Sequence, residues 1–348
     1  MRFGVSIPQV WEPGNADRYG KTYELAQVAE AEGYDAVSIG HHHFMPDRMS
    51  DPFILLAGIA ARTTTIRLAT GIFQLAIHQP LRVAEQSACL DQLSNGRVIL
   101  GVGLGWSPLE YAAHGADIRQ RGARMDEGLA LVRRLWTEPT VAHEGPHYTV
   151  PELSLQPKPL QQPGPPVWVA GVDPRAIDRA ARLGDAWICG PVQTWSGVKT
   201  GLSHYQEARA RHGRTGAPWV LRRYTWLGAS RREVEEQYVP GFVDSQLPYW
   251  RTSVESNEER ELFARIDGGE HVSPAQIAAG RFIGGAPDDA IAEIERMRAE
   301  TGLEYLHVGF GGRLDSYSTD TAAGAEQFAE MRGMIERFGR EVIPALTG

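Results

Sequence analysis

Cysteine is nearly absent from these 348 residues: Cys89 and Cys189 are the whole complement. Two thiols so far apart in sequence, each in an apolar-looking element, give no disulfide framework and read as buried free thiols in a reducing compartment. Long apolar runs are missing as well, so no segment reads as a bilayer span. Met1-Arg2-Phe3-Gly4-Val5 enters a strand without a signal-peptide pattern, and the expected location is cytoplasmic. Runs of Lys and Arg are lacking and the net charge is −8, which argues against nucleic acid as the main partner. No internal repeat is visible. What remains is the composition of an ordinary soluble enzyme with a full-size core, 42% hydrophobic and 22% charged.

The elements that are present alternate. Residues 3–7 read as a strand closed by Pro8, and 21–32 as a helix ended by Gly33. Residues 36–39 form a short apolar strand, 52–62 a helix, 66–73 a strand and 80–93 a helix opened by Pro80. Asn95-Gly96 turns the chain into a fourth strand, 97–102. Strands separated by helices rather than hairpins are parallel strands with helical crossovers. A proline-rich stretch, 138–166, interrupts the rhythm after strand four. Strands at 167–170, 186–189, 219–227 and 305–310 then resume it, with helices at 174–183, 196–212, 231–239, 288–301 and 322–338. A polar excursion at about 240–280 follows strand seven and is a candidate mobile lid or a plain solvated insertion. The fold expected is α/β: a single (β/α)8 TIM barrel domain over 1–348, with insertions after strands 4 and 7.

In such a barrel the carboxyl ends of the strands carry the chemistry. The second strand delivers His41-His42-His43-Phe44 there. Three readings stay open for the histidines: a metal site, a structural role, or acid–base work near neutral pH. The metal reading lacks ligands at the ends of strands five, six and eight, so no metal is expected. Adjacent residues on extended backbone point to opposite sides, so the three should differ. Gly101-Val102-Gly103-Leu104-Gly105-Trp106 is not a dinucleotide fingerprint, because the third glycine comes a residue early. It allows close approach of a flat ligand, on which Trp106 can stack. Ala170-Gly171-Val172-Asp173-Pro174-Arg175 has the form of an anion site at a helix start, with Asp173 as cap and Pro174 at the first helical position. Asp91-Gln92-Leu93-Ser94-Asn95-Gly96-Arg97 precedes a strand and reads as structural.

Taken together and in order, several segments resemble the bacterial luciferase-like family of flavin-dependent monooxygenases. They are the run from Asp35 through His42-His43-Phe44, the block Leu90 to Arg97, Gly101-Val102-Gly103, and Pro166-Val167-Trp168-Val169-Ala170-Gly171. Gly284-Gly285-Ala286-Pro287-Asp288 and Thr301-Gly302 complete the set. The resemblance implies a two-component enzyme. Reduced FMN from an NAD(P)H-dependent flavin reductase would react with dioxygen to a flavin C4a-peroxide that oxidises a small organic substrate; a homodimer is also implied. It places His42 on the catalytic histidine, Glu110, also catalytic, on an acidic residue near the flavin, and Gly71-Ile72 on a non-proline cis peptide against the ring. Gly103, Leu104, Trp106, Ala170, Gly171, Val172, Asp173, Arg175 and Arg281 fall on cofactor-binding positions, and His43, Phe44 and Phe73 on the substrate pocket. Leu104 stands where luciferase has a phosphate-binding arginine, which leaves that charge to Arg175 or Arg281. His41 stands where an acidic residue often precedes the histidine pair. A deazaflavin-dependent hydride-transfer enzyme on the same fold is the first alternative, and a non-catalytic flavin-binding protein the second.

Overall fold

The computed structural model describes residues 1–9, 19–45, 48–251, 257–311 and 321–347. Eight parallel strands close into a ring: β1 (Arg2–Ser6), β2 (Ala36–Ile39), β3 (Arg67–Thr70), β4 (Val98–Gly103), β5 (Val167–Ala170), β6 (Ala186–Cys189), β7 (Trp219–Leu227) and β8 (Tyr305–Gly309). β1 pairs with β2 and β8, and β7 pairs with both β6 and β8, so the barrel has no open edge. Strand alternation divides the core in two. Ala36, Ala69, Ile99, Trp168, Ala186, Ile188, Val220 and Tyr305 fill the interior. Val37, Ile39, Leu68, Leu100 and Val169 face outward and pack in the larger cluster with the helices.

A polar layer lies above the apolar interior. Ser38 Oγ is 2.7 Å from His307 Nε2 and 3.0 Å from Ser6 Oγ. Arg222 donates to Ser6 Oγ at 2.9 Å and to the Gly71 carbonyl at 3.1 Å. Burial holds the His307 ring neutral, well below the usual histidine range. The layer is the floor of the barrel mouth.

The amino-terminal face is fixed by the block before β4. Every N–H of the Arg97 guanidinium is spent on Ser94 O, Thr63 Oγ1, Ile66 O, Ala60 O or Thr63 O. Asp91 accepts from the backbone and side chain of Gln161. These bonds tie two loops together beneath the barrel, which is the structural role read from the sequence.

Four expectations change. The strand anticipated at 66–73 ends at Thr70; Phe73–Gln74 pairs separately with Val102 and Gly103. Within the proline-rich insertion, Val141–Glu144 and Thr149–Leu153 form an antiparallel hairpin. Its turn is held by Glu127, which accepts from the amides of His147 and Tyr148. The polar excursion is largely helical: Val239–Trp250, Asn257–Asp267 and Pro274–Ala278, followed by an unforeseen strand, Phe282–Gly285, beside the end of β7. Val239, Phe242, Val243 and Trp250 are buried; their helical spacing is masked in the sequence by the polar residues between them. Finally, Cys89 is exposed, and only Cys189 is the buried thiol expected of both.

Candidate active site

Every barrel strand but the first ends on a glycine or is followed directly by one: Gly40, Gly71, Gly103, Gly171, Gly190, Gly228 and Gly309. β7 runs past the rim, so that Tyr224 and not Gly228 lies level with Gly309; the other six glycines leave few side chains there. A Cβ added to Gly103 would sit 2.8 Å from Ile72 Cδ1, and one on Gly171 would sit 2.3 Å from the Ala176 Cβ. Gly71–Ile72 is a cis peptide. A broad, flat ligand can lie on such a rim, in contact with backbone.

His41, His42 and His43 emerge from β2 at this rim into unlike surroundings. His42 keeps 31% of its side chain exposed, and its Nδ1 lies 3.5 Å from Glu110 Oε1. Glu110 is itself buried, at 2% side-chain exposure, and also accepts the His43 backbone N–H at 2.7 Å. It belongs to a short helix, Pro108–Ala113, capped by the Ser107 side chain. The Tyr111 hydroxyl donates to Leu104 O, fixing that helix to the end of β4. His42 and Glu110 are thus brought together.

His41 turns inward. Its Nδ1 accepts the Gln74 backbone N–H at 3.1 Å, and its Nε2 is 2.9 Å from His43 Nε2. An amide N–H only donates, so the proton of neutral His41 sits on Nε2 and His43 Nε2 accepts it. The ring stacks on Phe73 at 4.5 Å and lies 5.1 Å from the ring of His78; the His43 ring is 4.3 Å from that of His114. His114 donates its Nδ1–H to Glu110 O at 2.8 Å. Burial, and then mutual repulsion within the group, holds His41 down to about 2 and His78 to about 4, and lowers His43.

His41, His43 and His78 each bring a ring nitrogen within 4.8 Å of the others. Three ligands of one metal ion can have that spacing. A metal-bound histidine, however, donates its second ring N–H to an acceptor. His41 faces the Gln74 donor instead, so this set as arranged offers two lone pairs rather than three.

Other expected residues separate. Phe44 is 63% exposed and Trp106 48%, and of the two Phe44 packs near His43 and His114. Phe73 is buried behind His41 and supports the wall instead of lining a pocket. Asp173 caps the helix Pro174–Leu183 by accepting the Arg175 N–H, with Pro174 at its start. The Arg175 side chain is 91% exposed and reaches Asp173 at 3.2 Å. The Arg281 side chain is buried. Its guanidinium is buried, donating to Val192 O and Ile277 O and pairing with Glu259 at 2.8 Å. A phosphate role for Arg281 would require that pair to be broken.

Sequence reasoning missed His78, His114, Gln74 and Arg222. His78 lies between the Phe73–Gln74 strand and the helix at Pro80, and His114 ends the short helix after β4. Scanning each strand-to-helix loop for polar side chains would have found both.

Residues 1–305 match the family described as luciferase-like monooxygenase. The chain belongs to that family and is an oxidoreductase. It is 27% identical over 341 residues to the oxygenase component of the flavin-dependent trigonelline monooxygenase of Acinetobacter baylyi (strain ATCC 33305 / BD413 / ADP1), covering 94% of this chain and 90% of the relative. It is 34% identical over 179 residues to the F420-dependent glucose-6-phosphate dehydrogenase of Kineococcus radiotolerans (strain ATCC BAA-149 / DSM 14245 / SRS30216), covering 49% and 52%. The oxygenating constituent of 3,6-diketocamphane monooxygenase from Pseudomonas putida, solved with FMN, superposes with a TM-score of 0.75 over 99% of this chain and 98% of that one, at 19% identity. That likeness concerns the fold.

Proposed function

We propose that this chain is the oxygenase component of a two-component monooxygenase. It takes reduced FMN from a separate NAD(P)H-dependent flavin reductase and uses dioxygen to oxidise a small organic substrate. The observation that carries this reading is the glycine rim beside His42, a flat backbone surface next to one part-exposed titratable group. When bound, the reduced flavin supplies the electrons for dioxygen activation. The ring would lie against Gly71-Ile72 and Gly103, with Trp106 at its edge. The phosphate would meet the loop Ala170-Gly171-Val172 before the helix, and Arg175 would turn to it from Asp173, its partner at 3.2 Å.

The protein's own part is to bind, shield and move protons. His42 holds or delivers a proton at the reacting centre. Phe44 and Trp106 would supply apolar contacts, and His43 a polar one, to a seated substrate, whose own surface would then exclude water. Oxygen uptake tests the reading: reduced FMN and dioxygen should be consumed together with a turned-over substrate, and absence of uptake at saturating reduced FMN would sink it.

The second reading is hydride transfer with a deazaflavin, favoured by the similarity to the F420-dependent relative. Reduced deazaflavin oxidised by substrate without oxygen uptake would establish it. A homodimer, a cytoplasmic location and lid motion at about 240–280 belong to the same proposal. Light scattering on the purified chain measures the dimer. Among the described residues no helix is long and apolar enough to cross a membrane.

A further inference from the structure

We infer that Glu110 acts through His42, as a positioning residue that holds the ring with Nδ1 toward its carboxylate and Nε2 toward the mouth. The inference rests on His42 handling a proton of the reaction. The resemblance alone places Glu110 near the cofactor, but burial separates it from anything in the mouth: its side chain is 2% exposed. One carboxylate oxygen accepts the His43 amide at 2.7 Å and lies 3.5 Å from His42 Nδ1. The other, Oε2, is buried without a hydrogen-bond partner.

A buried carboxylate with an unused oxygen is costly unless a donor or a cation faces it. No Lys or Arg ion pair to Glu110 exists among the described residues, and the only side chain recorded in an ion-pair contact with it is His42. The separation of 3.5 Å is long for a hydrogen bond. Contacts of this kind tighten when ligand closes the site. His42 Nδ1 is itself buried, while the side chain as a whole is 31% exposed. The exposed edge is therefore the one carrying Nε2. With Nδ1–H directed at the carboxylate, Nε2 is left as the proton acceptor, and a proton gained there is balanced by the charge behind it.

The groups packed around the pair reinforce this. His41 and His43 are occupied with each other, and His114 spends its Nδ1–H on the Glu110 carbonyl. Asp51 caps its own helix and accepts from Gln86. Among the described residues, His42 is the histidine with a ring nitrogen in ion-pair range of the carboxylate, while His43 meets it through its backbone N–H.

Glu110→Gln tests the assignment, because the amide oxygen still accepts the His43 N–H while the charge is lost. The readout is the ring-nitrogen NMR signal of His42 in histidine-labelled full-length protein without flavin, identified by its loss in His42→Asn. In the parent protein the signal should report Nδ1–H. In Glu110→Gln it should move toward the Nε2–H form, and the ring should take up its second proton at lower pH. Turnover should fall at least tenfold while reduced-flavin affinity stays within twofold, and Glu110→Asp should restore part of both signal and turnover. An unchanged His42 signal in Glu110→Gln overturns the assignment. So does a loss of flavin affinity without loss of turnover, which would put Glu110 on the cofactor itself. The NMR arm needs neither cofactor nor oxygen, so it stands or falls apart from the monooxygenase reading. If Glu110→Gln does not fold, Glu110→Asp alone decides: a His42 signal still reporting Nδ1–H supports the pairing, and one reporting Nε2–H removes it.

Discussion

His42 faces a buried carboxylate at 3.5 Å and keeps about a third of its side chain in solvent, whereas His43 faces a neutral imidazole at 2.9 Å and packs among other rings. Both follow β2, one residue apart, and the chain bends at His43, so the two side chains meet different surroundings. What differs is the partner each meets. A carboxylate partner favours gaining a proton, and a buried imidazole partner opposes it. Under the function proposed above, identical side chains one residue apart would take different work, His42 handling a proton and His43 packing among rings.

The largest effect should come from removing the reactive member. His42→Ala is expected to lower turnover by about 10²–10⁴ with flavin binding and unfolding midpoint nearly unchanged, measured by oxygen uptake and urea titration. Equal turnover in the variant would erase the contrast. Next comes the structural side. His41→Ala strips the ring that fills the space against Phe73 and leaves the Gln74 N–H unpaired, which should cost roughly 2–4 kcal/mol of stability. Turnover of the fraction that remains folded should fall far less than in His42→Ala.

Acid separates the two sides more gently. His41 and His78 have pKa values lowered to about 2 and about 4 by burial, so the unfolded chain binds protons that the folded one refuses. Stability is then fully present above about pH 6.5 and declines as pH falls toward those lowered values. Urea midpoints at pH 7 and pH 5 should show the decline, and His78→Asn should flatten it. The smallest effect concerns Phe44, which sits at a φ of 61° with its side chain exposed. Phe44→Gly should leave stability equal or raise it by about 1 kcal/mol, while weakening affinity for an apolar substrate.

Much of this was legible in the sequence, for reasons that can be named. Ala36–Ile39, Val167–Ala170 and Ala186–Cys189 are apolar runs bracketed by turn residues, and the structure places those strands where the sequence does. Pro80 and Pro174 start their helices for the same local reason. The parts that were not legible depend on distance. Arg281 looks like a free cation until the fold brings Glu259 against it. His78 and His114 come from two loops that only the closed barrel joins to His43. The helices from Val239 onward were hidden by charge on their solvent side, although their apolar spacing was present. Resemblance named His42 and Glu110 separately; their contact appears only in the fold, because no local rule links positions so far apart.

The glycines that end nearly every barrel strand have a consequence for how such a protein can change. A rim without side chains makes few demands on the shape of what rests above it and offers little means of discrimination. Selectivity then has to come from the loops overhead, whose sequences can diverge without disturbing the strands below. Exchanging those loops between relatives should carry substrate preference with them, while the barrel underneath continues to fold as before.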